Sequence, residues 1–152
     1  MNVLFVFSLG ITVSKNGLLD FQECMQFGIS HISSFFKKQG HRTDLVVLSR
    51  LLGIKNKAIL DSSIDQFKPD LICFTAVSTE YSLMADMAAH VKKSHPDIFL
   101  LIGGVHVTLN PEDVANSDFD ALCIGEGEQP TLELIEKLER SQPLTGIPNI
   151  WF

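Results

Sequence analysis

The amino-acid sequence predicts an α/β domain in which helices cover both faces of a five-stranded parallel sheet. Short, continuous apolar runs alternate along the chain with segments that repeat apolar residues at helical spacing. The length of 152 residues suits a single domain, and the 45% of hydrophobic residues can fill a dense core. The whole chain is therefore predicted to be one folded unit rather than a disordered segment.

Asn2–Ser8 is predicted to be the first strand, because it is a short apolar run of β-branched and aromatic residues. A polar loop follows it from Gly10 to Leu19. A helix is then predicted to begin at Asp20, since Glu23 three residues later completes a capping box. This helix should end near Gly40, which suits the left-handed conformation that closes many helices.

The next two strand–helix units follow the same pattern. Asp44–Leu48 and Leu71–Ala76 are apolar enough to be buried strands. A short amphipathic helix is predicted over Ala58–Phe67. Thr79 is predicted to cap a longer helix that runs to about Ser94.

The last part of the chain adds two further strands. Ile98–Ile102 is apolar on both faces, and Ala121–Ile124 is a shorter apolar run. Between them, Asn110–Asp113 has the cap, the proline and the acidic residues that are typical of a helix start. A final helix is predicted from Pro130 to Arg140, and Ile147–Phe152 is a short apolar segment suited to an edge strand.

Five strand–helix units fit a Rossmann-like, doubly wound sheet, and we predict the flavodoxin-type strand order 2-1-3-4-5. The net charge of −6 disfavours a nucleic-acid partner, because phosphates are bound by a basic face. No apolar run approaches the ~18 residues of a spanning helix, so no membrane partner is expected. The three cysteines are far apart and are predicted to be reduced thiols of a cytoplasmic protein.

Four unusual loops follow predicted strands, at the edge where open α/β sheets bind their ligands. They contain no GxxxxGKS, GxxxxGKT or GxGxxG motif, and acids flank the second glycine of the last loop. Phosphate binding is therefore disfavoured. The loops are Leu9–Leu19, Ala76–Glu80, Gly103–Thr108 and Gly125–Glu128.

Two adjacent glycines, Gly103 and Gly104, follow the buried fourth strand directly. Because they lack side chains, a flat group can lie against their backbone, although a sharp turn explains them equally well. The hydroxyls of Ser78, Thr79 and Thr108 are candidate hydrogen-bonding groups for such a ligand. For Ser78 and Thr79, helix capping is the favoured alternative.

The titratable side chains of these loops allow more than one interpretation. His106 stands where sites are built, but a single histidine without a second ligand more often forms a hydrogen bond within a loop. Glu126 and Glu128 are candidate acid–base carboxylates. The favoured interpretation is that one stabilises the N-terminus of the last helix while the other ties neighbouring loops together.

Taken together, three segments resemble the N-terminal cobalamin-binding domain that precedes the catalytic barrel in many radical-SAM enzymes. The segments are IGGVHVTLNPEDV, DALCIGEGEQPTLELIEKL and IPNIWF. The shared elements are a GG-x-H-x-T turn, an N/L-P-E-x helix start, a D-x-x-x-x-G-E-G-E turn and an I-P-x-I exit. The N-terminal half of the chain matches only as a strand–helix alternation.

The resemblance implies that residues 1–152 form one domain that holds the corrin ring of cobalamin against the carboxyl ends of its strands. The nucleotide tail would occupy a slot beside Gly103 and Gly104, and we expect Gly104→Trp to abolish cobalamin uptake while leaving the fold intact. The loop after the first strand would face the lower side of the corrin. The implied cofactor-binding residues are Gly10, Ser78, Thr79, Gly103, Gly104, His106, Thr108, Gly125, Glu126 and Gly127.

Two motifs of related proteins are missing from the sequence. The D-x-H-x-x-G loop that supplies a histidine to cobalt does not occur, so no histidine from below is expected on the metal. The three closely spaced cysteines of a radical-SAM cluster are also missing. S-adenosylmethionine and the 4Fe–4S cluster are therefore expected only in a catalytic barrel in cis. This chain would be the cobalamin-binding fragment of a larger protein that contains the barrel.

For the parent enzyme, the resemblance implies methyl transfer or an oxidative or cyclising reaction, with cobalamin positioned by this domain. The chain alone is not expected to be an enzyme. The alternative is a structural domain of the same kind of enzyme, which docks on the barrel and binds no cobalamin.

Overall fold

The computed structural model describes residues 1–9, 12–13, 19–20 and 27–152. Most of the predicted loop after the first strand, including Gly10, therefore lies outside the described residues. The strands and helices in chain order are β1 (Asn2–Leu9), β2 (Thr12–Val13), β3 (Leu19–Asp20), α1 (Phe27–Lys38), β4 (Arg42–Ser49), a 3₁₀ turn (Arg50–Leu52), α2 (Lys55–Phe67), β5 (Leu71–Thr75), α3 (Tyr81–Ser94), β6 (Phe99–Gly103), α4 (Val105–Leu109), α5 (Pro111–Val114), β7 (Ala121–Cys123), α6 (Glu128–Glu139) and β8 (Ile150–Trp151).

The main sheet has six strands in the order β4-β1-β5-β6-β7-β8. The first five pair in parallel and correspond to the five predicted strands, so the predicted order 2-1-3-4-5 is confirmed. The sixth strand, β8, pairs antiparallel with β7 and forms the edge, as suggested for the terminal apolar segment. The direction of winding reverses between β1 and β5, which is where ligands bind in such sheets.

Two apolar cores lie on opposite faces of this sheet. Successive side chains of β1 alternate between them: Leu4 and Val6 pack towards α2 and α3, whereas Val3 and Phe5 pack towards α1 and α6. Because both faces are covered, the inner strands need apolar residues at every position. This requirement explains the continuous apolar runs in the sequence.

The predicted start of the first helix lies partly outside the described residues. Asp20 lies in β3, where it pairs with Thr12 of β2 in an antiparallel ladder. The helix is described from Phe27 onwards, and the predicted capping partner Glu23 lies outside the described residues. At the other end, Gly40 has a φ of 87°, which confirms the predicted left-handed closure.

Two helices near the carboxyl ends of the strands correct the prediction. Helix α3 has Glu80 at its N-cap, and Thr79 lies in the turn before it, so Thr79 does not cap the helix. The segment after β6 was expected to be a loop, but it contains the short helix α4. Five residues are too few to display helical periodicity in a sequence. The predicted helix start at Pro111 is confirmed, with Asn110 as its N-cap.

Asp120 joins β6 to α3 at the start of β7. Its Oδ2 atom accepts a hydrogen bond from the backbone N–H of Leu100 at 2.7 Å and forms an ion pair with Nζ of Lys92 at 2.6 Å. The backbone N–H of Asp120 in turn donates to the carbonyl of Leu100 at 2.9 Å. The aspartate that opens the D-x-x-x-x-G-E-G-E turn therefore has a structural role.

No helix among the described residues is long and apolar enough to cross a membrane.

We expect Asp120→Ala to lower the free energy of unfolding by about 1–3 kcal/mol, because the N–H of buried Leu100 loses its charged partner. Urea denaturation followed by circular dichroism measures this loss. The control is Asp97→Ala in the exposed turn before β6, for which a change within about 0.5 kcal/mol is expected. Equal effects of the two substitutions would contradict the structural role of Asp120.

Candidate functional site

Two depressions lie at the carboxyl ends of the strands. The first, which we name the glycine cleft, has a volume of about 200 Å³ and lies on the α1–α6 side of the sheet. The second, the switch pocket, has a volume of about 150 Å³ and lies at the ends of β1 and β5. Thr75 and Gly104 line both. The two depressions are therefore adjacent parts of one surface around the point where strand order reverses.

The glycine cleft brings together glycines from two turns. Its lining comprises Phe5, Gly28, Ile29, Ile32, Cys73, Phe74, Thr75, Leu101, Gly103, Gly104, Cys123, Gly125, Glu126, Gly127, Glu128 and Thr131. Five of the predicted cofactor-binding residues, Gly103, Gly104, Gly125, Glu126 and Gly127, are in this list. Backbone from the two turns and apolar side chains from α1 and the sheet thus form its walls.

Gly104 holds the most constrained backbone of the site. Its φ of 100° is one that side chains rarely allow, and a Cβ atom there would lie 2.6 Å from Oγ1 of Thr75 and 2.8 Å from the carbonyl oxygen of Ala76. The backbone N–H of Ala76 donates to the carbonyl of Gly103 at 3.1 Å and fixes this approach. The expectation that Gly104→Trp leaves the fold intact is therefore wrong, because even a methyl group collides with the backbone.

Gly103 is different, because its φ lies outside the left-handed range. A Cβ atom at this position would lie 3.5 Å from the carbonyl oxygen of Cys123, which is an ordinary van der Waals contact. Gly103 therefore keeps the cleft open without being required by the backbone. It is the better position at which to fill the cleft.

Thr108 ties the two glycine turns together. Its hydroxyl donates to the carbonyl of Gly104 at 3.1 Å and accepts a hydrogen bond from the backbone N–H of Gly125 at 3.0 Å. Thr108 itself is not part of the cleft lining. Thr108 therefore acts on the predicted site as a positioning residue: it fixes the distance between the two turns that form the walls.

A hydrogen-bonded pair of side chains joins α1 to α6 at the cleft. Nδ1 of His31 lies 2.8 Å from Oε1 of Glu128, and we name this pair the helix clasp. The hydrogen bond from His31, with smaller contributions from the backbone N–H groups of Glu128 and Gly127, holds the pKa of Glu128 below its ordinary value. Glu128 is thus the glutamate in the first turn of α6, and it also contacts α1, whereas the sequence predicts separate glutamates for the two tasks.

The floor of the cleft carries two thiols, Cys73 and Cys123, and both are free. Burial raises the pKa of Cys123 to about 11 and raises that of Cys73 even further. Both thiols are therefore neutral and unreactive at physiological pH. Cys24 lies outside the described residues, and the reduced state of the three cysteines stays a prediction. The floor suits an uncharged, apolar group.

The structure does not bring every predicted residue to the cleft. Ser78 and Thr79 lie in the exposed turn before α3 and line neither depression. His106 is buried in α4, with Nδ1 at 3.1 Å from Oγ of Ser78 and its ring centroid 4.5 Å from that of Tyr81. It also lines neither depression, and its contact with Ser78 fits the interpretation of a hydrogen-bonding residue, although it lies in a helix rather than a loop. No group of three metal-ligating side chains occurs among the described residues.

The switch pocket contains a side chain that the sequence analysis did not single out. Glu80 lines the pocket and is only 6% exposed. The hydroxyl of Ser8 donates to Oε2 of Glu80, and Nε of Arg50 lies 3.5 Å from the same oxygen. The sequence did contain a signal for Glu80, because it is an acidic residue shortly after a central strand. Ligand sites form at the carboxyl ends of such strands.

A model of the B12 binding domain family matches residues 21–135 of the chain. Among curated proteins, an uncharacterized methyltransferase of Pyrococcus horikoshii is 26% identical over 122 residues, which cover 79% of this chain and 26% of that protein. The anaerobic magnesium-protoporphyrin IX monomethyl ester cyclase of Rubrivivax gelatinosus is 24% identical over 116 residues, which cover 75% of this chain and 21% of the cyclase. The chain thus spans about a quarter of the length of these relatives.

Among solved structures, a cobalamin-binding protein from Desulfitobacterium hafniense is similar with a TM-score of 0.61. The match covers 90% of this chain and 57% of that protein at 13% sequence identity. A likeness at this level of identity shows the shared fold, and it agrees with the Rossmann-like architecture described above.

We expect Gly104→Ala to lower the free energy of unfolding by roughly 2–4 kcal/mol, because the new Cβ atom collides with Thr75 and Ala76. The matched control, Gly103→Ala, should change it by less than about 1 kcal/mol. Chemical denaturation monitored by circular dichroism measures both. Full stability of Gly104→Ala would show that the close approach is not a constraint.

The helix clasp should make a pH-dependent contribution to stability. Because the folded state lowers the pKa of Glu128, its carboxylate stabilises the fold above the ordinary value of 4.5, and this contribution disappears as the pH falls through the folded value. Glu128→Gln should therefore cost up to about 1 kcal/mol at neutral pH and less in acid. His31→Ala removes the same hydrogen bond and should give the same profile. Denaturation midpoints across the acid range check this, and a difference that does not vary with pH contradicts it.

Proposed function

The chain belongs to the B12-binding domain family, and on this premise we propose that it binds cobalamin and positions it for a catalytic partner. The observation that carries the proposal is the glycine cleft, which opens at the carboxyl ends of the strands. In this proposal the flat base of the nucleotide tail occupies the cleft, and the corrin ring extends over the neighbouring strand ends.

The cleft fits the tail in size and in chemistry. Its volume of about 200 Å³ exceeds the roughly 150 Å³ of an apolar cavity that accepts benzene, so a somewhat larger flat ring system can enter. Backbone from Gly103 and Gly127 lines it without side chains, and the thiols of Cys73 and Cys123 are neutral. The hydroxyl of Thr131, also in the lining, adds a polar group of the kind that fixes a ligand's orientation.

The residues of this chain would bind and orient the cofactor rather than take part in covalent chemistry. When bound, cobalamin supplies a cobalt centre that can carry a methyl group. We propose that no histidine of this chain ligates the cobalt. None of the five histidines lies in the loop after β1, and His106 is buried away from both depressions.

We further propose that the catalytic partner is a radical-SAM barrel in cis, with S-adenosylmethionine and a 4Fe–4S cluster bound there. Two facts support this: the names of the curated relatives, a methyltransferase and a cyclase, and their length, which is more than three times that of this chain. The exposed apolar side chains of Val77, Val105 and Leu109, which follow β5 and β6, suit contact with a further domain. We also propose a reducing compartment such as the cytoplasm, and the free thiols of Cys73 and Cys123 support this proposal.

Cobalamin binding is tested by mixing the purified chain with hydroxocobalamin, separating free cofactor by gel filtration and recording the visible absorption of the protein. We expect the wild type to carry the corrin spectrum. In Gly103→Val the added side chain enters the cleft, so the dissociation constant from equilibrium dialysis should rise at least tenfold, or about 1.4 kcal/mol.

Gly103→Ala is the matched control, because it adds only a methyl group at an ordinary contact distance, and it should retain binding within a few-fold. Circular dichroism establishes that both variants are folded. A colourless wild-type protein after reconstitution contradicts cobalamin binding. Normal uptake by a folded Gly103→Val shows that the tail lies elsewhere.

A further inference from the structure

We propose that the switch pocket receives a carboxamide arm of the corrin ring, and that Glu80 makes the domain select amidated corrins over the corresponding carboxylic acids. This inference rests on the proposed function, because it assumes that the corrin lies over the strand ends. It adds a specificity-determining residue to a site whose walls also include glycine backbone and apolar side chains.

The position of the pocket supports this assignment. The switch pocket shares Thr75 and Gly104 with the glycine cleft, so a ligand with its tail in the cleft extends naturally over the pocket. The pocket volume of about 150 Å³ is too small for a macrocycle but sufficient for a short side arm. It therefore suits a substituent on the rim of a larger ligand.

The chemistry of the pocket favours a hydrogen-bond donor on an apolar stem. The walls include the apolar side chains of Phe7, Val77 and Val105, which can contact methylene groups. Glu80 provides a buried carboxylate, which accepts hydrogen bonds at both oxygens and donates none when ionised. The hydroxyl of Ser8, which also lines the pocket, already directs its proton to Glu80. A primary carboxamide, with two N–H donors on a short aliphatic arm, matches this arrangement.

The charge of Glu80 is only partly compensated. Nε of Arg50 lies 3.5 Å from Oε2, but the arginine side chain is 53% exposed and also donates to the hydroxyl of Ser82 at 3.3 Å. Arg50 is not part of the pocket lining. A ligand carboxylate in the pocket would therefore meet a buried like charge, which is unfavourable at short range, whereas a carboxamide would meet an acceptor.

Cobalamin offers a sharp probe of this distinction, because the corrin carries several primary carboxamides on its rim. Hydrolysis of a single one converts an amide into a carboxylate of nearly the same shape. The isomeric monocarboxylic acids of cyanocobalamin all have the same net charge and differ only in the position of the carboxylate. Comparing them thus separates a local effect at one pocket from the general repulsion by a chain of net charge −6.

The test measures dissociation constants of the wild type for cyanocobalamin and for its isomeric monocarboxylic acids by equilibrium dialysis. We expect one isomer to bind at least about tenfold more weakly than the others. Glu80→Gln keeps the shape of the side chain but removes its charge, and it should reduce this gap to within about threefold. Glu112→Gln, on an exposed acid of α5 outside both depressions, is the control and should preserve the gap.

A second variant keeps the test decisive if Glu80→Gln fails to fold. Arg50→Gln removes the exposed counter-charge and should widen the gap between isomers, because the field of Glu80 is then less compensated. Equal binding of all isomers by the wild type, an undiminished gap in folded Glu80→Gln, or an unchanged gap in Arg50→Gln overturns the assignment. A wild type that binds no cyanocobalamin at all instead overturns the proposed function, so the two failures are distinct.

Discussion

The site depends on one close approach of backbone, where Gly104 passes over the end of β5. The φ of 100° turns the chain sharply out of β6, and the carbonyl of Ala76 accepts a hydrogen bond from the N–H of His106 at 3.1 Å just beyond the turn. Without a Cβ atom at Gly104 the two strand ends come within contact distance. Both depressions border this contact, so a single residue sets the shape of the glycine cleft and of the switch pocket.

The two depressions differ in the kind of group that they favour. The floor of the glycine cleft is neutral because burial keeps the thiols of Cys73 and Cys123 protonated. The switch pocket holds the buried carboxylate of Glu80. Thr108 joins the two glycine turns without lining the cleft itself. The helix clasp holds α1 and α6 together at the rim of the cleft. The arrangement is suited to a ligand with an uncharged flat ring at one end and hydrogen-bond donors on the rim of a larger body.

The five parallel strands were predictable because strands covered on both faces are continuous apolar runs in the sequence, and their order followed from the doubly wound pattern that five such units adopt. The errors arose where a local pattern competed with a distant one. Thr79 is a residue type that often caps helices, but the N-cap of α3 is Glu80, whose carboxylate accepts a hydrogen bond from the distant Ser8. Likewise, the sequence marked the glycines of the cleft, whereas the role of Glu80 depends on Ser8, 72 positions away in the chain. Contacts of that separation are set by topology rather than by local pattern.

The antiparallel strand β8 limits how copies of this chain can associate. Exposed edges display N–H and C=O groups on which a further strand can assemble, but the two residues of β8 offer too few of them to hold one. In the described sheet, growth is therefore confined to the opposite edge, where β4 presents eight residues. Polymerisation into fibres requires two competent edges, whereas one edge permits only a closed pair. The reversal of the chain at Asn149, where φ is 63°, thus gives the described sheet one short antiparallel edge and one long parallel edge.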